Sequence, residues 1–268
     1  MKYIITLLFI FTLIDLSGCS KNHKQPSNHN YKEQSQKNSI KPLQHSNDSS
    51  FNSLNSNIRQ SDTNINKAKA IKTVSQPSAI SVLVDKEYFL PKNYVPKDLV
   101  YPNVSFIFKE KIEKRKMRKE AARALERLFA GAKKDKIYLS GVSAYRSYET
   151  QKAIFNRYVK VDGYANARKY SAIPGTSEHQ TGLAIDVSSS TGKCAATSCF
   201  SNTKEAKWLE NKSTIYGFII RYPKGKESIT GYKYEPWHIR YVGVTTAKEI
   251  KKRNITLEEY LKVYPVSK

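Results

Sequence analysis

The chain has 268 residues, and its 46 Lys and Arg against 23 Asp and Glu give a formal charge of +23. That balance draws the protein toward anionic polymers, and 39% hydrophobic residues is low for a packed domain of this length, so part of the chain lies outside any core. Eleven glycines and ten prolines exclude a collagenous chain, three cysteines are too few for a disulfide scaffold, and no apolar run beyond the first twenty residues suffices for a polytopic membrane protein.

In chain order, the first segment reads MKYIITLLFIFTLIDLSGC: Lys2, an apolar stretch at residues 3–14, then the small pair Ser17-Gly18 before Cys19. This is the pattern of an export leader. Leu16-Ser17-Gly18-Cys19 resembles the bacterial lipobox, in which the cut falls before the cysteine and the thiol is acylated. The expectation is a leader over residues 1–18 and a mature protein beginning at Cys19, lipid-anchored on the extracytoplasmic face of the bacterial cell membrane. Of the 60 residues at 20–79, 36 are Ser, Asn, Gln or Lys, with neither a helical nor an alternating period. Such a segment cannot bury enough surface to offset its conformational entropy and reads as a tether with a root-mean-square reach of ~40 Å. Residues 80–268 remain as one domain, with 36 basic and 19 acidic side chains. In an exported protein the counter-charge is a cell-wall polymer rich in carboxylates and phosphates, not nucleic acid.

Within the domain, Met117, Ala121, Ala124, Leu125, Leu128 and Phe129 recur at helical spacing and predict an amphipathic helix over about residues 111–130. Residues 136–139 read as a strand leading into 140–146, and Ser147 opens a second helix through Phe155 and Tyr158. Short β-rich runs follow at 182–188, 218–222 and 238–242. Residues 203–214 and 245–252 read as helices, and Thr256 caps a last short one. Helices and strands mix without regular βαβ alternation, so the predicted class is α+β, with a small, mainly antiparallel sheet and flanking helices.

Three of the five histidines lie in the tether, and both domain histidines have carboxylates nearby. His179 starts His-Gln-Thr-Gly-Leu-Ala-Ile-Asp, which ends at Asp186, and His238 ends Glu235-Pro-Trp-His. Two imidazoles and one carboxylate make the three-ligand set of a catalytic zinc site, and Glu235 is then a carboxylate beside the metal able to take a proton. Spacing alone leaves each histidine equally readable as an ordinary core or surface residue. The absence of H-E-x-x-H excludes the thermolysin type of site.

Residues 177–186, SEHQTGLAID, resemble the S-x-H-x-x-G-x-A-x-D signature of the zinc peptidases that include the VanY-type D-alanyl-D-alanine carboxypeptidases. Glu235-Pro-Trp-His238 matches their E-x-W-H element, and residues 143–151, SAYRSYETQ, are similar to their substrate-binding stretch. The resemblance implies one zinc held by His179, Asp186 and His238 on the sheet, with Glu235 as catalytic base. It also implies that Arg146 meets the substrate, with Gln151 and Ser177 in supporting places. An arginine fork suits the free terminal carboxylate that a carboxypeptidase must recognise.

With Cys19 acylated, Cys194 and Cys199 are an even pair in an oxidising compartment and are expected to form a short-loop disulfide. The function implied is a monomeric, zinc-dependent D,D-carboxypeptidase that removes the terminal D-alanine from peptidoglycan stem peptides. An L,D-carboxypeptidase of the same fold acting on tetrapeptide stems is the nearest alternative. A non-catalytic wall-binding protein is the second.

Overall fold

The chain divides into two units, 1–64 and 65–268, and the computed structural model describes residues 72–262. The leader, Cys19 and the tether up to residue 71 lie outside the described residues.

Two small strand pairs come first. β1 (Lys72–Thr73) runs parallel to β2 (Tyr88–Phe89), and β3 (Leu99–Val100) runs antiparallel to β4 (Met117–Arg118). Of the residues expected to belong to the tether, 72–79 are described, and Lys72 and Thr73 form β1. Val74 packs against the core, and the Ser78 carbonyl accepts a hydrogen bond from Arg118 Nη1 at 2.7 Å.

The amphipathic helix is α1 (Lys119–Lys134), which starts later than its apolar spacing suggested. Met117 and Arg118 are extended because they pair with β3, and residues Glu113–Arg115 form a separate 3-10 turn. Leu125 and Leu128 have no exposed surface, and Lys133 and Lys134 sit in the last turn, where the helix dipole favours cations. Lys136 then takes a φ of 60°, so the following strand, β5 (Leu139–Ser143), begins only at Leu139. α2 (Tyr148–Asp162) opens on Ser147, whose Oγ accepts from Thr150 N at 3.3 Å, and α3 (Tyr164–Tyr170) follows directly.

β5, β6 (Ala184–Ser189), β7 (Phe218–Ile220) and β8 (His238–Tyr241) form the main sheet in the order β5-β6-β8-β7, antiparallel at every junction. The fold is thus the expected α+β type. Alternation along β6 sends Ile185 and Val187 into the core with Leu125, Leu128 and Ile239, and turns Asp186 to the opposite face. α4 (Lys204–Lys212), α5 (Glu227–Thr230), α6 (Val244–Arg253) and α7 (Leu257–Tyr260) complete the domain. Thr256 and Glu259 form a reciprocal capping box at the start of α7. Leu257 joins Ile219, Val242, Ala247 and Ile250 in a second apolar cluster. Cys194 and Cys199 are joined by a disulfide in the loop after β6. Among the described residues no helix is long and apolar enough to cross a membrane.

The turn between His179 and β6 depends on one glycine. Gly182 has a φ of +67°, and an added Cβ would lie 2.9 Å from Leu99 Cδ2 and 3.0 Å from Arg118 Cγ. Its carbonyl also accepts from Arg118 N at 2.9 Å, which ties this turn to β4. Gly182→Ala is expected to cost about 1–2 kcal/mol from the left-handed backbone alone, with several degrees lost from the thermal midpoint. A variant melting with the parent would show that the turn has another conformation open to it.

Candidate metal centre

Three backbone features bring the site together. Asp186 on β6 stands directly opposite His238 on β8, so neighbouring strands place both side chains on one face. Ser143 at the end of β5 faces Asp186 from the other side, after a register shift beyond Gly141. His179 sits on a 3-10 turn, Glu178–Thr181, that Gly182 closes in the left-handed region.

All three side chains are buried, and one ligand atom from each lies within 4.8 Å of the others. His179 Nδ1 is 2.7 Å from the Ala144 carbonyl, which fixes the proton there and frees Nε2. That Nε2 is 3.4 Å from Asp186 Oδ2, while His238 Nδ1 is 2.9 Å from Asp186 Oδ1. The imidazoles meet edge to face with centroids 4.9 Å apart. Ligands about 2.0–2.2 Å from a tetrahedral zinc are separated by roughly 3.3–3.5 Å, so this donor set fits the ion with small adjustments.

The electrostatics suit a cation. Burial works against ionisation of Asp186, but the two histidines outweigh it and hold this carboxyl well below the usual range. Burial lowers His179, leaving a neutral imidazole. Burial also pulls His238 down, yet its hydrogen bond to Asp186 and the nearby Glu178 carboxylate raise it to about 9. A proton therefore occupies His238 at neutral pH until a metal displaces it.

These residues lie in a cleft of about 540 Å³ that also takes in Glu235, Arg146, Ser177 and Trp237. Burial raises the Glu235 carboxyl to about 7, with His238 and Arg146 restraining the rise and Asp186 adding to it. Arg146 is half-buried, donates from Nη1 to Gln151 Oε1 at 2.8 Å and from Nη2 to Ser143 Oγ at 3.3 Å, and joins no ion pair among the described residues. Gln151 is 1% exposed and donates its amide to the Ala172 carbonyl at 2.6 Å, so it holds Arg146 in place. Ser177 lines the cleft, and its side chain does not cap the adjacent turn. Ala196 and Ser198, from the disulfide loop, reach the same cleft.

Sequence reasoning passed over Glu178 and Tyr222, which lie against His238, and Arg221 and Arg240, which hold Glu178. Tyr222 lies 5.1 Å from the His238 ring, and Glu178 Oε2 is 3.5 Å from His238 Nε2. A signal was present: Arg221 and Arg240 interrupt the apolar runs FIIRY and HIRYV, where a charge implies a buried partner.

The family profile described as VanY, D-alanyl-D-alanine carboxypeptidase, matches residues 114–244, a span that holds every residue of this cleft named above. YodJ of Bacillus subtilis strain 168, provisionally named a carboxypeptidase, is 51% identical over 196 residues, 73% of this chain and 72% of that protein. The structure of the LdcB LD-carboxypeptidase, described as revealing the molecular basis of peptidoglycan recognition, superposes with a TM-score of 0.70 at 50% identity. It covers 74% of this chain and 92% of that one. A mutant of the vancomycin-resistance D,D-pentapeptidase VanY in complex with Zn(II) gives a TM-score of 0.54 at 33% identity, covering 68% of this chain and 98% of that one. The cleft's residues and these likenesses agree, and the chain belongs to the VanY D-alanyl-D-alanine carboxypeptidase family.

Proposed function

We propose that the protein is a zinc-dependent carboxypeptidase that removes the C-terminal D-alanine from peptidoglycan stem peptides. The observation that carries this reading is the cleft, in which Arg146, in no ion pair among the described residues, and a carboxylate raised to about 7 flank the three-ligand group. His179, Asp186 and His238 would hold the zinc, which when bound supplies Lewis acidity toward the scissile carbonyl and the attacking water. Arg146, braced by Gln151, offers its fork to the terminal carboxylate of the peptide. Glu235 takes the proton of the water and returns it to the departing amine of D-alanine, so the bond is broken with protons balanced. A wall-binding protein without activity has no use for a raised carboxylate at this position.

D,D-cleavage of pentapeptide stems and L,D-cleavage of tetrapeptide stems both release D-alanine. The likeness to LdcB is stronger and more extensive than the likeness to VanY, and it favours the tetrapeptide as substrate. The same reading includes export and a lipid on Cys19, supported by Leu16-Ser17-Gly18-Cys19, with the basic surface facing anionic wall polymers.

Incubation with purified tetrapeptide and pentapeptide stems, followed by mass spectrometry, should show loss of one alanine, faster from the tetrapeptide. Faster trimming of the pentapeptide would restore the D,D assignment, and cleavage of neither would refute the activity. Glu235→Gln should lower turnover by about 10²–10⁴-fold while zinc content stays near the parental level. Parental turnover in that variant would remove Glu235 from the mechanism, and loss of zinc would make it a ligand.

The pH profile follows from the same carboxyl. Glu235 must be ionised to act, and a bound cation lowers it from about 7, so kcat/KM should fall on the acid side with a limb between about pH 5 and that value. A rate that stays flat between about pH 5 and pH 8 would contradict this assignment. Arg146→Ala, which deletes a charged hydrogen bond worth about 1.5–3 kcal/mol, should lower kcat/KM by about 10- to 150-fold, mostly through KM. Unchanged constants would end the carboxylate-clamp role.

A further inference from the structure

Beneath the cleft, four charged side chains are sealed from solvent. Glu178 Oε1 accepts from Arg221 Nε at 2.7 Å and from Arg240 Nη1 at 2.6 Å. Arg221 turns its other two nitrogens onto Glu258 of α7, at 3.1 and 2.7 Å. Arg240 Nη2 donates to the carbonyls of Ile80 and Val82, at 2.9 and 2.7 Å. Every side-chain nitrogen and oxygen atom of these four residues has a hydrogen-bond partner except one. Glu178 Oε2 is buried without a hydrogen-bond partner, and so is His238 Nε2, the atom it faces at 3.5 Å.

Two unpartnered buried atoms of opposite hydrogen-bonding type, facing each other, are a bond waiting for a small adjustment. On the other side of the same ring, Nδ1 lies 2.9 Å from Asp186 Oδ1, and the other oxygen of that carboxylate lies 3.4 Å from the free Nε2 of His179. The ion therefore belongs on the Nδ1 side, which leaves Nε2 to carry the ring proton.

We propose that Glu178 is a positioning residue of the metal site. Its Oε2 accepts the Nε2–H of His238 and sets both the tautomer and the orientation in which Nδ1 meets the ion, while Arg221 and Arg240 lock Oε1 so that the carboxylate cannot swing away. Glu178 occupies the unspecified second position of S-x-H, so the signature itself assigns it nothing. The inference rests on the zinc reading of His179, Asp186 and His238, and adds a residue that touches neither substrate nor ion.

The test measures zinc affinity of the full chain by competition with a chromophoric chelator, together with thermal stability and kinetics. Glu178→Gln should raise the zinc dissociation constant by about 10- to 100-fold, the usual effect of losing the partner of a ligating imidazole. Glu258→Gln touches Arg221 and not His238, so it should lower the thermal midpoint and leave zinc affinity near the parental value. A parent that binds no zinc would defeat the zinc reading itself. A parent that binds zinc, with a folded Glu178→Gln that binds it equally well, would defeat this inference alone. Equal losses in both variants would assign the effect to the cluster as a whole and overturn the direct role. If Glu178→Gln does not fold, nitrogen-15 spectra of the histidine-labelled, zinc-loaded parent still decide. His238 should show a protonated Nε2 and a metal-shifted Nδ1, and the reverse pattern would overturn the proposal.

Discussion

The pairing register between β6 and β8 is the constraint on which the rest depends. Asp186 faces His238 because Ala184 pairs with Arg240 and Ile185 with Ile239, and a slip of one residue would turn Asp186 into the core and Ile185 into the cleft. What resists the slip is apolar: Ile185, Val187 and Ile239 are all buried in the main cluster beside α1. Chemistry on one face of the sheet is thus fixed by packing on the other. The third member of the group, His179, needs a separate device, a left-handed glycine that turns the chain from His179 into β6 within a few residues.

The buried charges beneath the site are not explained by stability. Removing two arginines and two glutamates from water carries a desolvation cost that mutual attraction seldom exceeds by much, and apolar residues of similar volume often do as well. What such a cluster supplies is direction. Arg221 and Arg240 fill one oxygen of Glu178 and leave the other aimed at His238, while Glu258 and the Ile80 and Val82 carbonyls keep the arginines from moving. The same contacts tie α7 and the segment before β2, distant in sequence, to the metal centre.

Much of this was legible in the sequence, for identifiable reasons. The helices at Ser147 and Thr256 could be read because their caps are local, with partners three residues away. The start of α1 could not, since Met117 and Arg118 are held extended by β3, a non-local partner that periodicity does not reveal. His179, Asp186, His238 and Glu235 could be grouped because SEHQTGLAID and EPWH resemble the family's motifs where spacing alone left each histidine open, and the structure brings the four to one cleft. Gln151 was expected to support substrate binding, and the structure turns its amide into a brace for Arg146, because a motif marks a position without saying what the side chain touches. Glu178 escaped notice because a buried carboxylate and an exposed one look alike in a sequence until the arginines that neutralise it are placed in space.

The division between shared and variable parts of the cleft follows from the reaction. Pentapeptide and tetrapeptide stems end in the same D-alanine carboxylate, so in the proposed mechanism Arg146 would read both, and the attacked carbonyl would ask the same of Glu235. The substrates differ in chirality on the acyl side of the bond, one residue farther from Arg146. Discrimination must therefore come from walls that touch that residue and not from the groups that break the bond. Tyr222 is ruled out as an adjustable wall, because it is buried between His238 and Tyr232 and any shift would disturb the metal centre. The cleft surface contributed by Tyr158 and Tyr170, on α2 and α3, and by Lys233 carries no such burden. Under the proposed mechanism, stereochemical preference can thus change there while His179, Asp186, His238, Glu235 and Arg146 stay as they are.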